Sequence, residues 1–252
     1  MGRENVEMLN AKQVAKYQKT GFVVLPNLLG TDALNEARND LEEYIRRVIP
    51  SLEGRNINYA DNGVINSIHD MAGWEWTQRL QASDSLRQIA ERLLGEAPED
   101  FGAELFAKPA RNGLPSPAHQ DNYYWCLDDA RGLTVWIALD DSGPENGGVY
   151  YYPGSHQWGL IDHEPSGAPG SSQTVKDTER LQEREQVLPS ITAGDCLIHH
   201  SLVVHGSDAN TSEHPRRGWT IRYKAKSTKI VSVRQKQYED ALALQMAKRK
   251  NA

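Results

Sequence analysis

Residues 119–125 read HQDNYYW, a histidine and an aspartate two apart followed by three aromatic side chains. In an extended strand, side chains two apart share a face. His119 and Asp121 would therefore project together, with Tyr123 and Trp125 on the same side if the strand continues and Tyr124 on the other. An imidazole beside a carboxylate suits a borderline divalent metal. Two ligands are too few for a catalytic centre, however, and a polar turn ahead of a strand reads equally well from this stretch alone. A third donor stands in the second half of the chain. His205 closes the apolar run LVV and precedes a Gly-Ser turn, where an imidazole can reach out of a β wall, and Arg216 opens the following strand. Two histidines and one carboxylate with open positions make the facial triad of non-haem Fe(II) oxygenases, and a nearby arginine offers a two-pronged fork to a carboxylate cosubstrate.

Arg216 has a neighbour, Arg217, and alternation separates them. Arg216, Gly218, Thr220 and Arg222 share one face, with small residues between the charges as a crowded interior beside a ligand requires; Arg217, Trp219, Ile221 and Tyr223 share the other, which can pack under helices. The tandem His199 and His200 must point to opposite faces, so at most one of them reaches a metal at this site; each, like His156, reads first as a satisfied histidine near the core. GSHQWG lacks the second glycine of a nucleophile elbow, and GAPGSSQT lacks the Gly-Lys-Ser/Thr of a phosphate loop. The two cysteines, Cys126 and Cys196, show no C-x-x-C spacing and read as buried apolar residues.

The elements that must position these groups fall into two textures. Residues 11–20 have helical spacing and stop at Gly21, FVVL reads as extended, Thr31-Asp32 caps a second helix over ALNEARNDLEEYIRRVI, and Ser83 or Asp84 opens a third that Gly95 ends. From about residue 100 the chain becomes short strand-like runs between Gly, Pro, Asn and Asp: AELFAKP, LTVWIALDD, GVYYYPGS, QVLPSIT, DCLIHHS, VVHGS and WTIRYKAKS. Turn-punctuated strands of this kind predict a sandwich or barrel. With no repeat and no linker, residues 1–252 are expected to form one domain: a mostly helical part over 1–100, a β core over 101–233 containing a polar lid loop at about 159–186, and a C-terminal helix or tail over 234–252.

Composition excludes several classes. A net charge of −6 with both signs interspersed gives no basic nucleic-acid surface, and the short KRK at 248–250 reads as a solvated tail. No window approaches the roughly 18 consecutive apolar residues of a membrane span. The N-terminus lacks the apolar region of a secretory signal and two cysteines build no disulfide framework, so a reducing cytoplasm is the expected location. The sequence leaves the oligomeric state open.

Taken together, YQKTGFVVLPNLL, HQD, ENGGVYYYPGSHQWG, HGSDANTSEHPRR and IRY resemble the phytanoyl-CoA dioxygenase family of Fe(II)- and 2-oxoglutarate-dependent oxygenases. The resemblance implies a mainly β fold with flanking α-helices, the double-stranded β-helix or cupin-like jelly roll. It implies that His119, Asp121 and His205 ligate Fe(II) and that Arg216 pairs with the distal carboxylate of 2-oxoglutarate. Ser207, Trp136 and Lys108 match positions around that cosubstrate. O2 would be consumed, succinate and CO2 released, and a substrate C–H hydroxylated. Related halogenases would carry a small residue in place of Asp121, so the carboxylate favours oxygenation.

For the substrate, Glu104 shares a face with Phe106 and Lys108 on ELFAKP, and a carboxylate entering a β core is costly unless paired. Glu104 either binds a substrate amine, with Arg222 on an acidic group and Trp125 as an apolar or cation-binding wall, or simply pairs with Arg222. Tyr123, Asn66 and His69 are further candidates. The expected substrate is a small polar metabolite, zwitterionic in the first of these two cases: an amino acid, a cyclic derivative of one, or an aminophosphonate. The alternatives are acyl-CoA hydroxylation, the same oxidant turned to desaturation, epoxidation or cyclisation, and a jelly-roll binding protein without turnover.

Overall fold

The alternating runs pair into two facing sheets in the computed structural model, which describes residues 9–52, 56–60, 63–168 and 171–250. The first part comprises α1 (Ala11–Thr20), β1 (Phe22–Leu25), α2 (Thr31–Arg47), β2 (Ile57–Tyr59), β3 (Ile65–Ile68), α3 (Glu75–Gln81) and α4 (Asp84–Leu94). Then follow β4 (Pro98–Lys108), β5 (Ser116–His119), α5 (Asp121–Trp125), β6 (Gly132–Ala138), β7 (Val149–Tyr151), β8 (His163–Ala168) and β9 (Ser171–Val175). The chain continues through α6 (Thr178–Gln182), β10 (Cys196–His200), β11 (His205–Ser207), β12 (Arg216–Ala225) and α7 (Ser232–Lys250). α1 opens on a reciprocal cap, Gln13 N–H donating to Asn10 Oδ1 and Asn10 N–H to Gln13 Oε1, and closes on Gly21 at φ +83°. That left-handed conformation is the one glycine adopts without steric cost.

The larger sheet has seven strands in the order β1-β10-β6-β12-β4-β3-β2, and the smaller has three, β5-β11-β7. Every strand pair in both is antiparallel. This is the jelly roll with flanking helices. Alternation divides the large sheet cleanly. Val135 and Ile137 of β6, Ile198 of β10 and Trp219, Ile221 and Tyr223 of β12 pack under Leu41 of α2 and Leu86 and Ile89 of α4. Trp219 lies 4.4 Å from Trp76 of α3, centroid to centroid, and the Tyr223 hydroxyl donates to the Gln81 carbonyl. Each large apolar side chain so buried contributes about 1.5–3 kcal/mol. The opposite face looks into the roll, where Phe22, Trp136 and Leu197 meet Val149 and Tyr151 of the small sheet.

Register places the inward side chains in rows, because directly opposed residues of antiparallel strands share a face. Thr134 faces His199 on one side and Arg222 on the other; Trp136 faces Leu197 and Thr220, and Thr220 faces Glu104; Arg216 faces Lys108. Gly218 sits opposite Ala138 and Phe106, and a Cβ there would lie 1.9 Å from Trp136 Cζ2. The Trp136 ring therefore occupies the space that any other residue would need. Gly218→Ala is expected to cost about 1–3 kcal/mol through overpacking, read as a lower urea midpoint with an unchanged slope.

Four expectations are corrected. The 159–186 segment is an ordered hairpin, β8 paired with β9, followed by α6, because its Ser, Thr and Gln residues form ladder bonds and β9 packs against β5. Residues 1–100 are less helical than their spacing suggests: besides the expected extended FVVL run, now β1 at one end of the large sheet, the mixed stretch 56–70 forms the β2–β3 hairpin that joins the other. Gly30, without a side-chain bond, and not Thr31 or Asp32, holds the N-cap position of α2. QVLPSIT makes bridges, Val187 with Tyr151 and Ile191 with Ser142, and no strand, since Pro189 interrupts the ladder. Among the described residues no helix is long and apolar enough to cross a membrane.

Candidate active site

A cavity of about 730 Å³ opens between the two sheets, walled also by α7 and the β8–β9 hairpin. His205 stands opposite His119 across the β11–β5 pair and opposite Tyr151 across β11–β7, which sets the His119 and His205 rings 4.4 Å apart. Each ring is fixed by its own chain two residues upstream: His119 Nδ1 lies 2.8 Å from the Pro117 carbonyl and His205 Nδ1 3.0 Å from that of Val203. A proton on Nδ1 satisfies those carbonyls and leaves the lone pair of each Nε2 directed into the cavity, the tautomer a metal needs.

Asp121 completes the group by a route other than strand alternation. Gln120 follows β5, and its buried side-chain amide donates to the carbonyls of Gly159 and Leu202 and accepts from the Ile161 N–H. The chain then turns into α5, whose 3.6-residue period puts Asp121, Tyr124 and Trp125 on one side. The cavity wall accordingly includes Tyr124 and Trp125. The assignment of Tyr123 to the cavity and Tyr124 away from it is reversed, because the strand parity behind it ends at Gln120. Tyr123 lies outside the wall and stacks on His163 at 4.3 Å.

Asp121 Oδ1 lies 3.7 Å from both His119 Nε2 and His205 Nε2, and one ligand atom from each residue falls within 4.8 Å of the others. Its second oxygen is already engaged: Thr134 Oγ1 donates to Oδ2 at 2.8 Å, and His199 Nε2 is 3.2 Å away, with His199 Nδ1 in turn 3.0 Å from the Tyr151 hydroxyl. Burial alone would raise this carboxyl's pKa; the facing His205, His119 and His199 outweigh it and hold the group well below the usual carboxylate range. Burial, then the other imidazoles, drives His205 well below an ordinary histidine. A carboxylate held in its charged form and two imidazoles whose Nε2 atoms converge on it can hold a divalent metal ion.

Of the tandem pair, His199 faces the cavity. His200 points to the opposite side, where its ring lies 5.5 Å from that of His156, and His156 Nε2 is 3.1 Å from the Gln18 carbonyl. Thr134 and His199, with Tyr151 behind His199, are a support for Asp121 that motif reading misses, since only strand register brings them there.

At the other end of the cavity Arg216 is buried, its Nε and one terminal nitrogen donating to the Gly147 carbonyl and its guanidinium 5.2 Å from the Trp136 ring. Among the described residues it has no carboxylate within 4.0 Å, and burial pushes its pKa down to about 10. Arg217, by contrast, is paired with Asp140 on the helix-covered side. Lys108 lies beside Arg216 and donates to the Leu114 carbonyl; burial first, then Arg216, pushes its pKa down to about 6. Ser207 and Trp136 line the same part of the cavity. Glu104, Arg222, Asn66 and His69 also line it, Glu104 pairing with His69 at 3.0 Å and with Arg222 at 3.5 Å. Asn66 Oδ1 accepts from the Leu114 N–H. Tyr238, Glu239, Leu242 and Ala243 of α7 close the wall, a contribution that no sequence motif marks.

The family match and the relatives that share this chain's length make it one of the oxygenases that use iron, 2-oxoglutarate and O2. The model of the family described as phytanoyl-CoA dioxygenase (PhyH) matches residues 17–218, and the chain belongs to that family. It is 27% identical to the L-proline trans-4-hydroxylase of Streptomyces griseoviridis over 240 residues, 86% of each chain. It is 24% identical to the ectoine dioxygenase of Sphingopyxis alaskensis over 238 residues, 88% of this chain and 78% of that one. Among solved structures, the non-haem α-ketoglutarate-dependent carbocyclase SnoK from nogalamycin biosynthesis superposes with a TM-score of 0.76 at 25% identity, over 91% of this chain and 89% of that one.

Proposed function

We propose that the protein hydroxylates an unactivated C–H bond of a small polar metabolite, with iron held by His119, Asp121 and His205 and 2-oxoglutarate held through its distal carboxylate by Arg216. One observation carries this reading: Nε2 of two carbonyl-anchored histidines and the free oxygen of a hydrogen-bonded aspartate converge, while a buried arginine without a carboxylate partner among the described residues waits across the cavity. The donor set suits Fe(II), whose facial triad leaves positions open. Bound there with 2-oxoglutarate and O2, the iron supplies the oxidant for the C–H bond while succinate and CO2 are released.

The chain's own residues bind and orient. Thr134 and His199 fix Asp121 so that Oδ1 faces the metal position, and outer partners of this kind set both ligand geometry and metal affinity. Arg216 supplies the fixed charge for the cosubstrate, with Ser207 and Trp136 beside it. Lys108 adds a second positive charge once a carboxylate arrives. Trp125, Tyr124 and α7 exclude water from the substrate end. Asp70 and Glu239, both exposed in the wall, would repel the phosphates of an acyl-CoA.

Lys108 gives this arrangement a proton signature. At neutral pH its low pKa leaves it mostly uncharged, and a carboxylate beside it raises that pKa. Binding of 2-oxoglutarate between about pH 7 and 8 is therefore expected to take up close to one proton. Calorimetry in buffers of different ionisation enthalpy would measure it, and Lys108→Met should lose it.

The reading as a whole is tested by Fe(II)-dependent, O2-dependent conversion of 2-oxoglutarate to succinate with a product heavier by one oxygen atom. A product lighter by two hydrogens would indicate ring closure or desaturation, an outcome to which the likeness to a carbocyclase gives weight. We further infer one catalytic unit over 1–252. Two buried, unpaired cysteines favour a reducing, cytoplasmic setting.

A further inference from the structure

The end of the cavity away from Arg216 contains charges that the iron and its cosubstrate do not use. β12 presents Arg216 and Arg222 on one face with Gly218 and Thr220 between them, a separation of about 20 Å along a strand rising roughly 3.3 Å per residue. Thr134, which bonds Asp121, is register partner of Arg222, and Glu104 is register partner of Thr220. The Glu104 and Arg222 pair therefore lies next to the metal position, whereas Arg216 lies beyond Gly218.

Both members have unmet capacity. Glu104 Oε1 takes both contacts, His69 Nδ1 at 3.0 Å and Arg222 at 3.5 Å, and among the described residues Oε2 takes none. The Arg222 to Glu104 contact is long for a hydrogen bond, and among the described residues Arg222 Nε has no hydrogen-bond partner. The guanidinium lies 5.7 Å from the Trp125 ring and 5.9 Å from that of Phe101, its Nε and Nη2 edge lies against Gly102, and the residue lines the cavity beside Glu104.

His69 is fixed from behind. Its Nε2 lies 3.1 Å from both Ser67 Oγ and Asn58 Nδ2, and Asn58 also donates to Ser67. The β2–β3 hairpin thus ends in a relay whose last contact is Glu104. A half-buried carboxylate and guanidinium side by side and only partly satisfied gain most from a ligand that supplies the complement to each.

We propose that the substrate is a zwitterion whose cationic nitrogen sits on Glu104 Oε2 and whose carboxylate or phosphonate sits on Arg222, with His69 as the positioning residue that holds Glu104. This rests on the oxygenase reading above and assigns the charges of its substrate. Glu104 and Arg222 pair with each other and bind the ligand together, so the two expectations read from the sequence are compatible.

The test uses the full chain with Fe(II), 2-oxoglutarate and O2, and a panel of cyclic and acyclic amino acids and aminoalkylphosphonates. Each is run beside its N-acetyl form, which lacks the cation, and its amide or ester, which has a reduced negative charge. The compounds that accelerate succinate release should be zwitterions, and capping either charge should weaken them at least about tenfold. Glu104→Gln should raise KM for the zwitterion and narrow its advantage over the N-acetyl form. His69→Ala should raise KM with kcat largely kept, and His69→Gln, which can still donate to Glu104, should restore it.

The proposal is overturned if a neutral or singly charged compound serves as well, if no zwitterion on the panel accelerates succinate release, or if Glu104→Gln leaves KM unchanged. Anaerobic absorbance of the wild-type protein with Fe(II) and 2-oxoglutarate separates two failures. If the charge-transfer band forms without any preference for zwitterions, this proposal fails alone; if the band does not form, the oxygenase reading fails with it.

Discussion

Replacing Arg216 with methionine is expected to raise the KM for 2-oxoglutarate roughly thirtyfold to several thousandfold, the equivalent of about 2–5 kcal/mol for removing one partner of a buried charged contact. The guanidinium is buried, bonds the Gly147 carbonyl, and has no carboxylate within 4.0 Å among the described residues. A structural arginine in such a place would be paired, as Arg217 is with Asp140. The two roles predict opposite effects on the protein without its cosubstrate. If Arg216 serves the ligand, methionine relieves an uncompensated buried charge, and the melting temperature of the cosubstrate-free protein should hold or rise while 2-oxoglutarate binding collapses. Lysine should not rescue it, because a point charge cannot make the parallel bonds of a guanidinium to a carboxylate. The readings are KM for 2-oxoglutarate and thermal unfolding of each variant with and without it.

Replacing His205 with alanine should abolish turnover and weaken Fe(II) binding by more than the roughly 10–100-fold that loss of a ligand's outer partner costs. His205 is anchored by its own Val203 carbonyl, paired to His119 across the small sheet, and 3.7 Å from Asp121 Oδ1. Without it, two donors remain and the facial set is lost. Equilibrium dialysis of Fe(II) against each variant, with succinate formation measured alongside, checks both halves. Retained metal affinity in His205→Ala would mean that the metal lies elsewhere.

What could be read from the sequence here had local causes. His119 and Asp121 announce themselves by proximity, and His205 by a turn that lets an imidazole leave a β wall. The choice of Arg216 over Arg217 followed from the small residues between Arg216 and Arg222, and Gly218 is small because Trp136 fills its place. Other features had no local cause. The strand after His119 stops because the amide of Gln120 bonds Gly159, Ile161 and Leu202, all distant in the chain. Alternation therefore failed at Tyr123 and Tyr124, although it put Trp125 in the wall for the wrong reason.

Thr134 and His199 reach Asp121 through the β6–β10 register, and His69 reaches Glu104 through a hairpin hidden in a mixed polar stretch. Partner choice between strands is a tertiary outcome that periodicity does not encode. The same holds for α7, whose helix was readable but whose place over the cavity was not.

Anaerobic titration of the protein with Fe(II) and 2-oxoglutarate, followed by visible absorbance, tests the site most directly. A charge-transfer band should grow to one iron per chain in the wild type, require far more 2-oxoglutarate in Arg216→Met, and be absent from His205→Ala. Iron bound to the wild type without that band, or a band of undiminished intensity in His205→Ala, would contradict the assignment of this cavity as the site of iron and 2-oxoglutarate.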